Sequence, residues 1–187
     1  MPSVDFGTAG SLRYRMIFLD EEQKEVSSWD GIPLHSDTSK LIFNFVCTTP
    51  KGTQARLRFA TEEPFHPLHH IENLSTRSPA HYAENVRWNY GLLPQTWTTD
   101  AGGKGSGTLT SSGGFAKRFG GLPLSSTPLE VIEMGSRIPE LGEVYPVKPV
   151  AAFAVVIPGE QCGRIESDES CGRGWPHCVL EDPSRCR

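Results

Sequence analysis

The sequence predicts a mainly β protein, a closed or partly closed antiparallel barrel, and three observations carry that expectation. Short runs of β-branched and aromatic residues recur along the chain, 19 Gly and 15 Pro punctuate them, and helical periodicity is scarce. At 187 residues the chain has the length of one domain, enough to bury about 70% of its unfolded surface around a single core.

The elements follow in order. The run Leu12 to Leu19 is rich in apolar and aromatic residues and meets a charged stretch, Asp20 to Lys24, which reads as strand and hairpin turn. Leu41 to Cys47 is a second apolar strand. Ala55 to Ala60 alternates apolar and charged residues as a half-buried third, with Arg56 and Arg58 two apart and so on one face. Val131-Ile132 and Val144 to Val147 make shorter strands. Val150 to Ile157, between Pro149 and Pro158, is the most hydrophobic run and predicts a buried strand.

This divides the chain into an N-terminal arm (1–11), a barrel domain (12–164) and a tail (165–187). Within the barrel domain, 98–126 is rich in Gly, Ser and Thr and reads as a flexible surface insertion. Its Gly102 to Gly107 lacks the spacing of a phosphate loop. The tail mixes Ser, Asp, Glu, Arg, Cys and Pro without a period, and disorder is the expectation.

A net charge of −4 gives no global field to draw nucleic acid or an anionic membrane, so neither is an expected partner and any anion site must be local. The first ten residues lack the basic and apolar regions of a leader, and no apolar run approaches membrane-spanning length; a cytoplasmic location is expected. Of five cysteines, Cys47 falls on a strand and Cys162, Cys171, Cys178 and Cys186 lie further on without a C-x-x-C pair, a pattern of free thiols more than of zinc. Cys162 near Arg164 has two readings, a reactive thiol or an inert one. His66, His69 and His70 sit around Pro64 and Pro67, which argues for an exposed loop and against a helical metal-binding face. Trp88, Tyr90 and Trp97, with no basic stripe beside them, read as core and cavity-wall residues.

Two segments carry a family likeness: Asn89-Tyr90-Gly91-Leu92-Leu93-Pro94-Gln95-Thr96-Trp97, and Pro128-Leu129-Glu130-Val131-Ile132-Glu133-Met134-Gly135. With Tyr14-Arg15, Val26 to Leu34, Ile42-Phe43-Asn44, Ala60 to Pro64, Gly142-Glu143-Val144 and Gly159-Glu160, they occur in the order and spacing of the soluble inorganic pyrophosphatases, which the chain resembles from Leu12 to Arg164. The likeness is to the eukaryotic, fungal type. It implies an OB-like five-stranded antiparallel barrel with few short helices, lacking the family's C-terminal part. It also implies magnesium-dependent hydrolysis of diphosphate to two phosphates, with carboxylates holding several magnesium ions while Lys, Arg and Tyr grip the phosphate oxygens.

The resemblance also shows what has changed. A family glutamate corresponds to Thr48, the phosphate-binding lysine to Arg56, and the next glutamate to Arg58, which reverses a charge. Two signature aspartates fall on Ser125 and Thr127, and the third acidic position survives as Glu130. Of a further aspartate pair, one falls on Ile157 or Pro158 and the other on Cys162; the lysine beyond corresponds to Arg164, and Tyr90 is retained. A His/Pro-rich stretch is missing between Val86 and Arg87.

The expected site is therefore Arg56, Arg58, Tyr90 and Arg164 for substrate, with Glu130 as a candidate metal ligand and magnesium as the cofactor that the resemblance implies. Three functional readings stay open: a pyrophosphatase strongly impaired by its lost carboxylates; a noncatalytic protein that binds diphosphate or phosphate, or that partners an intact homologue or a second copy; and a gene whose misplaced intron boundaries created the deletion, insertion and tail.

Overall fold

The computed structural model describes residues 1–98, 127–154 and 176–181. Thirteen strands and no helix occur among them, so the few short helices of the expectation are not found there.

The first sheet is assembled from short strands separated by turns. Ser3–Phe6 (β1) and Arg15–Leu19 (β2) pair antiparallel, so the front of the expected arm joins the sheet. Glu25–Val26 (β3) returns onto β2 as the predicted hairpin. Leu57–Phe59 (β6) pairs with Leu68–His70 (β7), which also meets β2 at Met16. His69 and His70 are thus strand residues and not the loop residues expected. Pro67 stands before the strand, where its missing N–H breaks no ladder bond. Glu72–Asn73 (β8) and Ser78–Pro79 (β9) form a separate small hairpin.

The second sheet closes on itself. Ile42–Thr49 (β5) pairs with Asn89–Thr98 (β10), β10 with Thr127–Glu133 (β11), β11 with Pro176–Glu181 (β13), β13 with Val144–Ala154 (β12), and β12 with β5 again. Every strand of this five-membered ring has two neighbours, and His35–Asp37 (β4) adds to β5. This is the OB-like barrel, antiparallel except where β11 and β13 run parallel.

Three details differ from expectation. The two predicted strands around Val144 and Val150 are one, β12, because Pro149 sits at a register shift where the ladder needs no donor from it. Val150 is 56% exposed, so the near end of the expected buried strand faces out. Six residues of the expected disordered tail, 176–181, supply β13, the fifth strand of the ring.

Alternation on the central strands creates two cores. Phe45 and Cys47 of β5 join Leu93, Leu129, Val131, Tyr145 and Val147, drawn from four ring strands, in the barrel interior. Val46 and Leu92 point the other way and meet Tyr14, Met16, Phe18, Leu57, Phe59 and Leu68 of the first sheet. Because β5 and β10 are covered on both faces at their centres, consecutive apolar residues stand there, Phe45-Val46-Cys47 and Leu92-Leu93. Burial pushes the Cys47 thiol up to about 12, which makes it inert.

Candidate functional site

On β10 and β11 the residues opposite the barrel interior are Tyr90, Leu92, Glu130 and Ile132. Leu92 faces Glu130 and Tyr90 faces Ile132 across the pair. Tyr90 and Glu130 are therefore diagonal neighbours on one face, within reach of long side chains. Thr48 of β5 lies beside them, its hydroxyl donating to the Tyr90 carbonyl at 3.4 Å.

Arg56 and Arg58 approach this face from the first sheet. Leu57 and Phe59 are buried while Arg56 and Arg58 are exposed, the alternation of an edge with one covered side. Both guanidinium charges act on Glu130: burial raises its carboxyl above the ordinary range, and Arg56 and Arg58 oppose that rise. The carboxyl thus sits partly desolvated before two cations.

Tyr82 is a member that sequence reasoning missed. Its ring stacks on Tyr90 at 5.3 Å between centroids, and the Arg56 guanidinium carbon lies 5.1 Å from the Tyr82 centroid. Backbone bonds set this stack: the Tyr82 amide donates to the Gln54 carbonyl at 2.8 Å, and the Arg56 amide to the Ala80 carbonyl at 3.3 Å. Burial raises the Tyr82 hydroxyl pKa; Arg56 opposes, while Glu130 and Tyr90 add to the rise. The available signal was an aromatic residue two positions past Ala80, too local a pattern to distinguish it from a turn tyrosine.

The register of Tyr90 is fixed from beneath. Asn89 is fully buried; its amide donates to Glu133 at 2.6 Å and to the Arg137 carbonyl at 3.0 Å, and its oxygen accepts from the Lys51 amide at 2.8 Å. The fully buried Glu133 also accepts from the Gly135 amide and from the Tyr145 hydroxyl at 3.1 Å. One buried carboxyl thus ties β10, β11 and β12 together below the site.

Arg56, Arg58, Tyr90 and Glu130 are brought into one neighbourhood; Arg164, with Ser125 and Cys162, lies outside the described residues, as does all of the expected insertion 98–126 beyond Thr98, which ends β10. Trp88 is 40% exposed and not a core residue, because it precedes β10. His66 lies in a turn with positive φ, its Nδ1 sharing a hydrogen bond with Ser27 at 2.8 Å, away from His69 and His70 on β7.

The inorganic pyrophosphatase family model matches residues 45–165, well over half of the chain. The chain belongs to that family. Soluble inorganic pyrophosphatase 6, chloroplastic, of Arabidopsis thaliana is 35% identical over 159 residues, which cover 85% of this chain and 48% of the relative. The chain spans about half the length of the curated relatives it matches. Among solved structures, type I inorganic pyrophosphatase from Toxoplasma gondii aligns with a TM-score of 0.73 at 25% identity, over 98% of this chain and 69% of that one. The N-terminal-domain-truncated vacuolar soluble pyrophosphatase of Trypanosoma cruzi, solved in complex with PPi, aligns with a TM-score of 0.71 at 25% identity, over 97% and 64%.

Inorganic pyrophosphatases are generally magnesium-dependent, and magnesium clusters need several convergent oxygen anions. Among the described residues no group of three or more His, Cys, Asp and Glu could hold a metal ion. Among the described residues Glu130 joins no such group and has Arg56 and Arg58 as its charged neighbours, so the described donors do not fit a magnesium cluster. Among the described residues no helix is long and apolar enough to cross a membrane.

Proposed function

We propose that the chain binds diphosphate or phosphate through Arg56, Arg58 and Tyr90, with Arg164 as a further contact, and that magnesium-dependent hydrolysis by this site is strongly impaired. The supporting observation is the field around Glu130, on which both Arg56 and Arg58 act; the resemblance implies carboxylates at the places that Thr48 and Arg58 occupy. Guanidinium groups bind phosphate oxygens by charge-assisted, forked hydrogen bonds and need no metal to do so. Tyr90 supplies a hydroxyl and, with Tyr82, a flat wall beside Arg56. A cytoplasmic location and assembly with a second copy or an intact homologue belong to the same proposal.

Two measurements decide it. Calorimetry with inorganic diphosphate in the presence of chelator should show binding that Arg58→Glu abolishes. Phosphate release from diphosphate with excess magnesium should stay far below ordinary turnover of about 10 per second. Turnover of that size, lost in Glu130→Ala, would establish instead a working metal site.

A further inference from the structure

Directly across the β6–β7 pair from Arg58 stands His69. The Arg58 Nε–H donates to His69 Nε2 at 3.3 Å. An imidazole nitrogen accepts only when it carries no proton, so this contact requires a neutral ring protonated on Nδ1. The surroundings keep it neutral: burial, then the charges of Arg58 and Arg15, lower the His69 pKa to about 4, with Glu63 opposing and His70 adding slightly.

Arg15, on the adjoining strand, shows the contrasting arrangement. Its Nε and Nη2 reach the two oxygens of Glu63 at 2.7 Å each, a forked ion pair that occupies the guanidinium and offsets its charge. Arg58 has no carboxylate within ion-pair distance among the described residues; it is held by an uncharged ring through Nε alone. Among the described residues no ion pair or other hydrogen bond occupies its Nη1–Nη2 end, which is left for an anion.

We propose that His69 is a positioning residue that fixes Arg58 through Nε and leaves its Nη end and charge to a phosphate group. The inference rests on the phosphate-binding reading above and adds the requirement for a neutral acceptor at position 69.

The test uses the full chain and inorganic diphosphate with chelator at pH 7.5. His69→Gln, a neutral acceptor, should bind within about twofold of wild type, while His69→Ala should bind roughly three- to tenfold more weakly, the effect of one lost orienting hydrogen bond. His69→Asp should bind more weakly than His69→Ala, because a carboxylate would pair with Arg58 and cancel its charge. A merely structural role would not rank Gln above Ala above Asp. Unchanged affinity in both His69→Ala and His69→Asp, with Arg58→Glu still defective, overturns this inference and leaves the binding function standing. Absence of diphosphate binding by wild type overturns the function itself. The His69–Arg58 contact is then still decided by imidazole nitrogen NMR: a His69 pKa near 4 that rises in Arg58→Ala supports it, and an ordinary pKa indifferent to that substitution refutes it.

Discussion

Replacing Asn89 by Ala should destabilise the barrel from beneath its site. The Asn89 amide donates to the Glu133 carboxylate at 2.6 Å and to the Arg137 carbonyl at 3.0 Å, and its oxygen accepts from the Lys51 amide at 2.8 Å. A hydrogen bond to a charged group contributes about 1.5–3 kcal/mol, and each neutral partner left alone costs about 1 kcal/mol, so the sum is about 4 kcal/mol. With a urea dependence of about 2 kcal/mol per molar, the unfolding midpoint should fall by about 2 M. Asn89→Asp should be worse still at neutral pH, since it sets a second carboxylate against Glu133 in a site without solvent. Urea titrations of the three proteins, followed by tryptophan fluorescence, measure this. A midpoint shift under about 0.5 M for Asn89→Ala, equivalent to about 1 kcal/mol, would refute the claim that these bonds carry the register of Tyr90.

Other outcomes follow from the same geometry. Gly91→Ala should destabilise by at least about 1–3 kcal/mol in the same titration, because a Cβ there would collide with the Val46 carbonyl and the Phe45 ring. Glu130→Gln should tighten diphosphate binding under chelator about fivefold in calorimetry, the effect of removing a negative charge beside an anion in an effective dielectric of about 20 with salt screening; unchanged or weaker binding would refute the reading that Glu130 opposes the anion. Acidification should destabilise the fold. His69, depressed to about 4, contributes stability that is complete above its unfolded pKa near 6.5 and lost as pH falls toward 4, while Glu63, lowered by its Arg15 hydrogen bonds, loses its contribution at still lower pH. Glu130, raised by burial, acts with the opposite sign, so Glu130→Gln should steepen the acid loss seen by urea titration between pH 7 and 4.

The barrel was readable where local pattern and tertiary position agree. Leu41 to Cys47 is an apolar run read as a strand, and it supplies β5 of the ring; Asn89 to Trp97, noted for its family likeness and not read as a strand, supplies β10. Reading failed where a residue's neighbours in space decide its state. Pro149 looks like a strand boundary, yet at a register shift a proline costs the ladder nothing, and β12 runs through it. His177-Cys178-Val179-Leu180 is too short and too embedded in charge to signal a strand, and acquires its role only from the open edges of β11 and β12. At the site, the spacing of Arg56 and Arg58 was visible, but the Tyr82 stack and the His69 contact arise from backbone pairings between segments that sequence alone does not align.

The position of β13 also bears on how the protein avoids itself. Between β11 and β12 it satisfies two rows of backbone donors and acceptors with one six-residue segment, and it does so from more than forty residues beyond its parallel neighbour. Until that segment arrives, a newly made barrel presents two unpaired edges to every other copy in solution, each a template for strand addition. The docking of β13, the last strand among the described residues, therefore ends this window for aggregation, and its rate sets how long a folding chain remains hazardous.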